Sequence, residues 1–339
     1  MNVVGMSAPG KAVVCGEYAV LAGAPAIAIA VNRRAGASLQ RTDNDCHRVE
    51  LRGHQDAPVE FRFDDSAGIV IVGRARPLMD LGLIRCIWSA VSPPITESID
   101  FRLDTGSFFD RERQIKLGLG SSAALAVALT AALLRLCDDR QDPGPVALAA
   151  HREFQGGNGS GVDIAVAVHG GVLAYQRASG LAIERLHWPA GLRFLVLWSG
   201  QAASTASRLR RLVAHADAGS GRESAARLQQ ASAGVLDAWR TGAGAAVLDA
   251  LKEYCAVLQR FSDDRDLGVF DAGHRELHEL ANRRGLLYKP CGAGGGDIGI
   301  VLGTRQGDLE DFAGRATSFG FSKLDVALDS RGLEECADK

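Results

Sequence analysis

The distribution of glycine is the feature that most limits how this chain can fold. The chain has 339 residues, and its 40 glycines include four dense clusters, at 5–23, 118–120, 156–171 and 292–299. Glycine allows a positive φ angle and the close approach of another group, at a cost in conformational entropy. Clusters between apolar stretches therefore indicate fixed backbone loops that face another group, and they do not indicate a flexible linker.

The second cluster lies in the sequence KLGLGSSAA at 116–124, and an apolar stretch follows it directly. Such a loop leaves backbone N–H groups free to face a phosphate, and the positive end of a following helix adds to the attraction. Ser121 and Ser122 can cap that helix or offer hydroxyl groups to phosphate or Mg²⁺. The alternative is a plain glycine turn with a serine cap before a core helix. The segment is not a Walker A motif, because no Gly-Lys-Ser/Thr sequence follows.

Two charged residues stand beside glycines at the start of apolar runs. Lys11 follows Pro9 and Gly10, and Asp163 follows the sequence GGNGSG at 156–161. Charged groups are costly to bury without a partner, and for Lys11 a transferring phosphoryl group is such a partner. Alternatively, its ammonium group reaches the surface at the end of a strand. Asp163 either caps the next helix or acts as a base or orienting group for a substrate hydroxyl.

The fourth glycine cluster has the sequence KPCGAGGGD at 289–297, directly before an apolar strand at 298–302. Three adjacent glycines beside a strand give up side-chain volume and conformational entropy, which packing alone does not explain. We therefore expect another molecule or chain to approach this backbone closely.

Composition and charge limit the possible partners. Hydrophobic residues make up 47% and charged residues 23% of the chain, and 38 basic against 40 acidic residues give a net charge of −2. The chain therefore has no excess of positive charge that would attract nucleic acid or a membrane surface. The seven cysteines show no Cys-x-x-Cys or Cys/His spacing typical of zinc or of a disulfide framework. We expect a cytoplasmic protein without a signal peptide that acts on a small molecule, as a monomer or a homodimer.

Apolar periodicity predicts a mixed α+β chain. Short apolar runs bounded by glycine or proline predict strands at 13–14, 27–31, 172–175, 194–198, 298–302 and 323–328. Helical spacing predicts a buried helix after residue 162 and further helices at 122–136, 203–215, 222–240, 246–261, 272–284 and 308–319. The strand–helix–strand succession at the C-terminal end predicts helices packed on one face of a sheet. We place a boundary near residue 180, which divides the chain into domains at 1–180 and 181–339.

Taken together, the four glycine-rich segments resemble the kinase superfamily named for galactokinase, homoserine kinase, mevalonate kinase and phosphomevalonate kinase, the GHMP kinases. The order, spacing and chemistry of the motifs are similar over nearly the whole chain. The resemblance implies a two-domain α+β architecture, with an N-terminal domain like domain 2 of ribosomal protein S5 and a ferredoxin-like C-terminal domain. It also implies that ATP binds in the cleft between them, with Mg²⁺.

Four features are most similar to the phosphomevalonate kinases within that superfamily. The first is GEYAVL at 16–21, where mevalonate kinases usually have histidine in place of Tyr18. The others are the lead into the phosphate loop, with LDT at 103–105, FF at 108–109 and KLG at 116–118, then WSGQAAST at 198–205, and Asp297 after the glycine triplet. The resemblance implies the reaction of ATP with (R)-5-phosphomevalonate to give ADP and 5-diphosphomevalonate in isoprenoid synthesis. Mevalonate kinase, or a GHMP kinase for another small hydroxylated or phosphorylated acid, is the nearest alternative. A catalytically inactive regulator that binds nucleotide is the alternative from a different class.

The resemblance also implies roles for individual residues. Lys11 stabilises charge on the transferring phosphoryl group, Asp163 interacts with the attacking group, and Ser122 is a Mg²⁺ ligand. The phosphates of ATP are held by Lys116, Gly118, Leu119, Gly120, Ser121 and Ser122. The substrate is bound by Lys11, Tyr18, Ser160, Gly161, Ser204, Thr205, Gly294 and Gly295.

Two positions depart from the superfamily pattern. Cys291 stands where these kinases usually have serine, which removes a hydroxyl group from the site. Arg152 stands where mevalonate kinases place a metal-binding glutamate, and Glu153, one residue along, faces elsewhere on a helix. The sequence therefore leaves the second protein ligand of Mg²⁺ open.

Overall fold

The structure of the chain is a computed structural model. It describes residues 3–52, 57–64, 68–73, 81–110, 112–157, 159–177, 182–203, 208, 210–212 and 219–336. Within these residues the chain forms two β-sheets with helices packed on them, so the predicted α+β class is confirmed.

The first sheet is built mainly from the N-terminal half of the chain. Its strands are β1 (Val4–Cys15), β2 (Ala26–Thr42), β3 (His47–Arg52), β4 (Val59–Phe63), β5 (Ile69–Val72), β6 (Ser98–Asp104), β7 (Val172–Gln176), β8 (Ala182–Leu186) and β13 (Glu334–Glu335). The order is β13-β1-β2-β6-β3-β4-β5, and β7 pairs with β2 and β8. Strand β2 is long enough to pair with β1 on one side and with both β7 and β6 on the other.

The second sheet comes from the C-terminal half. Its strands are β9 (Arg193–Trp198), β10 (Leu287–Pro290), β11 (Ile298–Gly303) and β12 (Ser322–Leu324). The order is β10-β11-β9-β12, and all pairs are antiparallel. Every residue of β11 is buried, as a continuous apolar run predicts for a strand covered on both faces.

Helices cover both sheets. They are α1 (Gly82–Val91), α2 (Ser121–Leu136), α3 (Pro143–Phe154), α4 (Val162–His169), α5 (Gly219–Arg240), α6 (Gly244–Asp264), α7 (His274–Arg283) and α8 (Gln306–Ala316). Helix α2 packs against β1 and β2 and is flanked by α1, α3 and α4. Residues 123–134 of α2 are all buried, which is typical of a helix at the centre of a core.

Most of the predicted helices are present. Helices α5, α6 and α7 confirm those predicted at 222–240, 246–261 and 272–284. The helix predicted at 308–319 ends at Ala316 and continues as a 3₁₀ turn, Thr317–Phe319. Most of the helix predicted at 203–215 lies outside the described residues.

The strand predicted at 323–328 is wrong beyond Leu324. After that residue the chain leaves the second sheet and returns to the first, where Asn32 N donates to Ala327 O (3.0 Å). Strand β13 then pairs with β1. The C-terminal segment therefore lies against the first sheet, and β8 also pairs there. The domain boundary near residue 180 stays a prediction.

A buried ion pair joins the two sheets. Glu17, in the loop after β1, pairs with Lys289 of β10, and their side chains are 1% and 0% exposed. Tyr254 of α6 donates its hydroxyl to Glu17 Oε2 (2.7 Å), and Lys289 Nζ also donates to Pro290 O (2.8 Å). Burial is the largest single effect and lowers the pKa of Lys289. The charge of Glu17 and its hydrogen bond, together with Cys291 and Cys255, more than offset it, so the pKa lies above its usual value. Lys289 therefore stays charged inside the core.

Replacing Lys289 by methionine should destabilise the protein strongly, because the Glu17 carboxylate is left buried without its partner. We expect a loss of about 3–5 kcal/mol in the free energy of unfolding, measured by urea denaturation followed by tryptophan fluorescence. The matched control is Lys323→Met, which breaks an ion pair with Glu310 (2.8 Å) whose side chains are both 45% exposed. That variant should lose at most about 1 kcal/mol. An equally small loss for Lys289→Met would contradict the role given to the buried pair.

Candidate active site

Lys11 lies directly beside the predicted phosphate loop, residues 116–122. It belongs to β1, and its backbone N–H donates to Leu119 O (2.8 Å), which holds the loop against the strand. Gly120 has φ +81°, and a Cβ atom there would lie 3.1 Å from Lys11 Cγ and 3.3 Å from Lys11 Cε. The side chain of Lys11 therefore runs along the loop in space that residue 120 leaves open. The structure brings these predicted residues together.

The start of α2 is not capped by a serine. Its N-cap residue is Gly120 in the left-handed conformation, without a side-chain cap, so the serine-cap alternative is wrong. Ser121 and Ser122 lie in the first turn of the helix and are partly buried. Leu119 is 1% exposed, so it can meet a phosphate only through its backbone. The N–H groups of a first helical turn have no partner within the helix and carry the positive end of its dipole, which suits a phosphate.

Ser122 has a partner that sequence pattern did not reveal. Its Oγ lies 3.1 Å from Nε2 of His151, a buried residue on α3. Burial lowers the pKa of His151, and the charge of Asp163 opposes this in part. The imidazole is therefore neutral at pH 7, and its hydrogen bond fixes the Ser122 hydroxyl at the start of α2. Helical spacing could have indicated that His151 is buried, because it lies four residues after Ala147 and so on the same face of α3.

The residues next to His151 do not supply the missing metal-binding carboxylate. Glu153 forms an ion pair with Arg85 of α1 (2.9 Å), so it faces away from Ser122. Arg152 is partly buried, and the residue of α3 that contacts Ser122 is His151, one position earlier. The residue of α3 that contacts Ser122 is therefore a neutral histidine and not a carboxylate.

Asp163 is the second residue of α4, whose N-cap is Gly161. The alternative in which Asp163 caps this helix is therefore wrong. Its Oδ1 accepts a hydrogen bond from Ile164 N (3.0 Å), and the side chain is partly exposed. A carboxylate in a first helical turn is stabilised by the helix dipole. Helix α4 packs against β1, so Asp163 and Lys11 lie on neighbouring elements.

The loop before α4 is held by Tyr175. The Tyr175 hydroxyl donates to Ser160 O (2.6 Å), and a Cβ atom at Gly161 would lie 2.8 Å from the same hydroxyl oxygen. Ser160 Oγ accepts from Val162 N (3.3 Å). These contacts fix Ser160 and Gly161, two of the predicted substrate residues, at the N-terminal end of α4.

The glycine-rich segment, residues 292–297, lies against the phosphate loop. A Cβ atom at Gly118 would overlap the side chain of Asp297. Asp297 Oδ1 accepts from Ala203 N (2.9 Å). Burial raises the pKa of Asp297, and this hydrogen bond and three nearby cations oppose the rise; the cations are Lys11, Arg208 and Lys116. The loop, the segment and these cations therefore form one site.

The glycines of this segment are approached by other parts of the same chain. Gly295 N donates to Val269 O (2.8 Å), and His274 Nε2 lies 3.0 Å from Gly296 O. A Cβ atom at Gly294 would overlap Val269. The close approach in the structure comes from this chain itself, and the approach of another molecule or chain stays a prediction.

Tyr18 connects the GEYAVL sequence to the same segment. Its hydroxyl donates to Ala293 O (2.7 Å), and the residue is 8% exposed. Burial raises the pKa of Tyr18, so the hydroxyl stays protonated and donates. The remaining predicted substrate residues, Ser204 and Thr205, lie outside the described residues.

Known proteins share this arrangement of sequence and fold. The family described as GHMP kinases N terminal domain matches residues 89–171. A phosphomevalonate kinase of Streptomyces sp. (strain CL190) is 29% identical over 340 residues, covering 87% of this chain and 88% of that protein. A mevalonate kinase of Bos taurus is 29% identical over 95% of this chain and 90% of that protein. The structure of Streptococcus pneumoniae phosphomevalonate kinase in complex with phosphomevalonate and AMPPNP has a TM-score of 0.75 at 20% identity, covering 97% of this chain and 100% of that one.

Residues 89–171 therefore carry a GHMP kinase N-terminal domain, and the chain as a whole has the fold of the GHMP kinases. It is therefore an ATP-dependent kinase with the two-domain α+β architecture of that family. The alternative of a catalytically inactive regulator finds no support in relatives that are named kinases. No helix in the described part of this kinase is long and apolar enough to cross a bilayer.

The described residues of this kinase contain no group of three His, Cys, Asp or Glu side chains that could hold a metal ion. Mg²⁺ keeps several waters and binds phosphates with only one or two protein ligands, so a kinase does not need such a group. Lys116 is exposed, and its Nζ lies 6.0 Å from the centre of the Phe109 ring. It adds positive charge at the start of the phosphate loop.

Replacing Gly120 by alanine should lower turnover by more than the accompanying loss of stability explains. The new methyl group contacts the Lys11 side chain and displaces it, and we expect kcat/KM to fall by about 100-fold. The control is Gly242→Ala, because Gly242 has φ +73° and nothing lies within 4 Å of a Cβ atom there. Both variants should lose about 1–2 kcal/mol of stability through the positive φ, measured by urea denaturation. Full turnover in Gly120→Ala would contradict the placement of Lys11.

Proposed function

We propose that this GHMP kinase transfers the γ-phosphoryl group of ATP to (R)-5-phosphomevalonate, giving ADP and 5-diphosphomevalonate. The Streptomyces relative is named phosphomevalonate kinase, and the Streptococcus pneumoniae structure is of a complex with phosphomevalonate and AMPPNP. The observation that carries the proposal is the placement of two cations, Lys11 and Arg208, along one glycine-rich segment beside the phosphate loop. Two cations suit an acceptor that is itself a phosphate better than they suit a neutral hydroxyl.

The donor side of the site is built from backbone and one lysine. The N–H groups of the phosphate loop and of the first turn of α2 hold the phosphates of ATP. Lys11, which lies across Gly120, stabilises the charge on the transferring phosphoryl group. Because Lys11 is already held along the loop, its charge is in place before the reaction begins.

The acceptor is a phosphate oxygen, which is already ionised at neutral pH because the second pKa of a phosphate monoester is about 6. This oxygen attacks the γ-phosphorus, a new P–O bond forms, and the bond to ADP breaks with its electron pair leaving on ADP. No proton has to be removed in this step. Asp163 therefore orients Lys11 or the acceptor and does not act as a general base.

Mg²⁺ fits this site through the nucleotide. The Ser122 hydroxyl is a hard oxygen donor of the kind that Mg²⁺ prefers, and His151 fixes its orientation. Ser122 would hold the ion together with the phosphates of ATP and water. The ion supplies charge neutralisation on those phosphates when it is bound.

Mevalonate is the second candidate acceptor, because the Bos taurus mevalonate kinase has the same sequence identity to this chain as the Streptomyces protein. With mevalonate the attacking group is an alcohol, whose proton must be taken up. Asp163 would then act as the base, and the acceptor would carry no phosphate for Arg208 to bind.

A coupled ADP-release assay over phosphomevalonate, mevalonate, homoserine and galactose tests the proposal. We expect kcat/KM for phosphomevalonate to exceed that for the other three by about 100-fold or more, because a site built for a charged group rejects acceptors that lack it. Lys11→Met should lower kcat by about 100- to 1000-fold, the usual loss for one positioned donor, with unchanged thermal unfolding. Preferred turnover of mevalonate would show that the proposed acceptor is wrong. Normal turnover in Lys11→Met would remove Lys11 from the chemistry.

A further inference from the structure

Arg208 lies against the backbone turn of the glycine-rich segment. Its Nη2 donates to Gly295 O (3.0 Å), and a Cβ atom at Gly295 would overlap the guanidinium group. Gly295 also has φ +62°. Glycine is therefore required at this position both for the backbone conformation and for the space that the guanidinium group occupies.

Only some of the N–H groups of this guanidinium have a hydrogen-bond partner among the described residues. Nε of Arg208 is buried and has no hydrogen-bond partner among the residues that the structure describes. Buried N–H groups are rarely left unpaired, because an unpaired donor has lost its water without gaining a hydrogen bond in return. The described residues therefore leave part of the hydrogen-bonding capacity of this guanidinium group unused.

The charge of Arg208 reaches groups that line the site. Its positive charge lowers the pKa of Tyr18 and of Asp297, although burial raises both by more. Tyr18 donates to Ala293 in the glycine-rich segment, and Asp297 lies against Gly118 of the phosphate loop. The positive charge of Arg208 therefore acts on the region between Tyr18 and the phosphate loop.

Lys11 marks the other end of the same segment. A Cβ atom at Gly292 would lie 3.7 Å from Lys11 Nζ, and Arg208 contacts Gly295, three residues further on. Three residues span at most about 10 Å even when extended. A group that reacts beside Lys11 is therefore within reach of Arg208.

We propose that Arg208 binds the phosphate group of the acceptor and selects a phosphorylated acceptor over an unphosphorylated one. This inference rests on the proposed function, in which that phosphate is also the attacking group. The terminal N–H groups of the guanidinium form a planar fork that binds two phosphate oxygens at once. The third oxygen stays free to attack the γ-phosphorus beside Lys11. The guanidinium also offsets the repulsion between the two anionic groups as they approach.

Isothermal titration calorimetry with three ligands identifies the group that Arg208 recognises. Phosphomevalonate carries a phosphate and a carboxylate, mevalonate carries the carboxylate only, and isopentenyl phosphate carries the phosphate only. The variants are Arg208→Gln and Arg208→Lys, with Arg210→Gln as the control, because Arg210 is exposed and lies two residues along. Wild-type turnover of phosphomevalonate, measured first, tests the proposed function separately.

Arg208→Gln should weaken the binding of phosphomevalonate and of isopentenyl phosphate by about 10- to 100-fold. It should not change the affinity for mevalonate or for AMPPNP. Arg208→Lys should give an intermediate loss for the two phosphorylated ligands, because lysine keeps the charge and lacks the fork. Arg210→Gln should match the wild type with every ligand.

Equal weakening of mevalonate and phosphomevalonate would assign Arg208 to the carboxylate and overturn the proposal. Unchanged affinities in a variant with native circular dichroism would overturn it as well and would leave the proposed function standing. A wild type that turns over mevalonate and not phosphomevalonate would overturn both. If Arg208→Gln does not fold, the same comparison is decided by Arg208→Lys.

Discussion

The buried contact between Glu17 and Lys289 fixes the two sheets relative to each other. Each charge is tolerated in the core only while the other is in place, because an unpaired buried charge costs about 3–5 kcal/mol. Glu17 follows the strand that carries Lys11, and Lys289 lies just before the glycine-rich segment. Gly292 N also donates to Glu17 Oε1 (3.4 Å). The pair therefore holds together the two stretches of chain that form the site, although neither charge is exposed to a ligand.

Around this contact, charged side chains occupy space that glycines leave open. Lys11 runs past Gly120, and Asp297 lies against Gly118. Gly295 likewise leaves space for the guanidinium group of Arg208. Because no side chain intervenes, the cations approach the loop backbone and are fixed before any ligand binds. Charge that is positioned in advance costs no reorganisation when a phosphoryl group is transferred, which is how such a site lowers the barrier.

Local spacing in the sequence predicted the loops and the charged residues beside them, such as Lys11 after a Pro-Gly turn. It did not predict the contact of His151 with Ser122, which joins residues 29 positions apart and depends on how α3 packs against α2. Nor did it pair Glu17 with Lys289, which are 272 positions apart. The C-terminal segment shows the same limit, because its choice of sheet is set by long-range pairing with β1 and not by its own pattern.

Phosphorus NMR of the reaction product tests the central claim most directly. If the chain phosphorylates phosphomevalonate, incubation with ATP yields ADP and a diphosphate ester, so two coupled phosphorus signals replace the single monoester signal of the acceptor. This result would show that the attacking oxygen belongs to a phosphate. A new monoester signal from mevalonate, with no diphosphate ester from phosphomevalonate, would contradict the assignment of the acceptor.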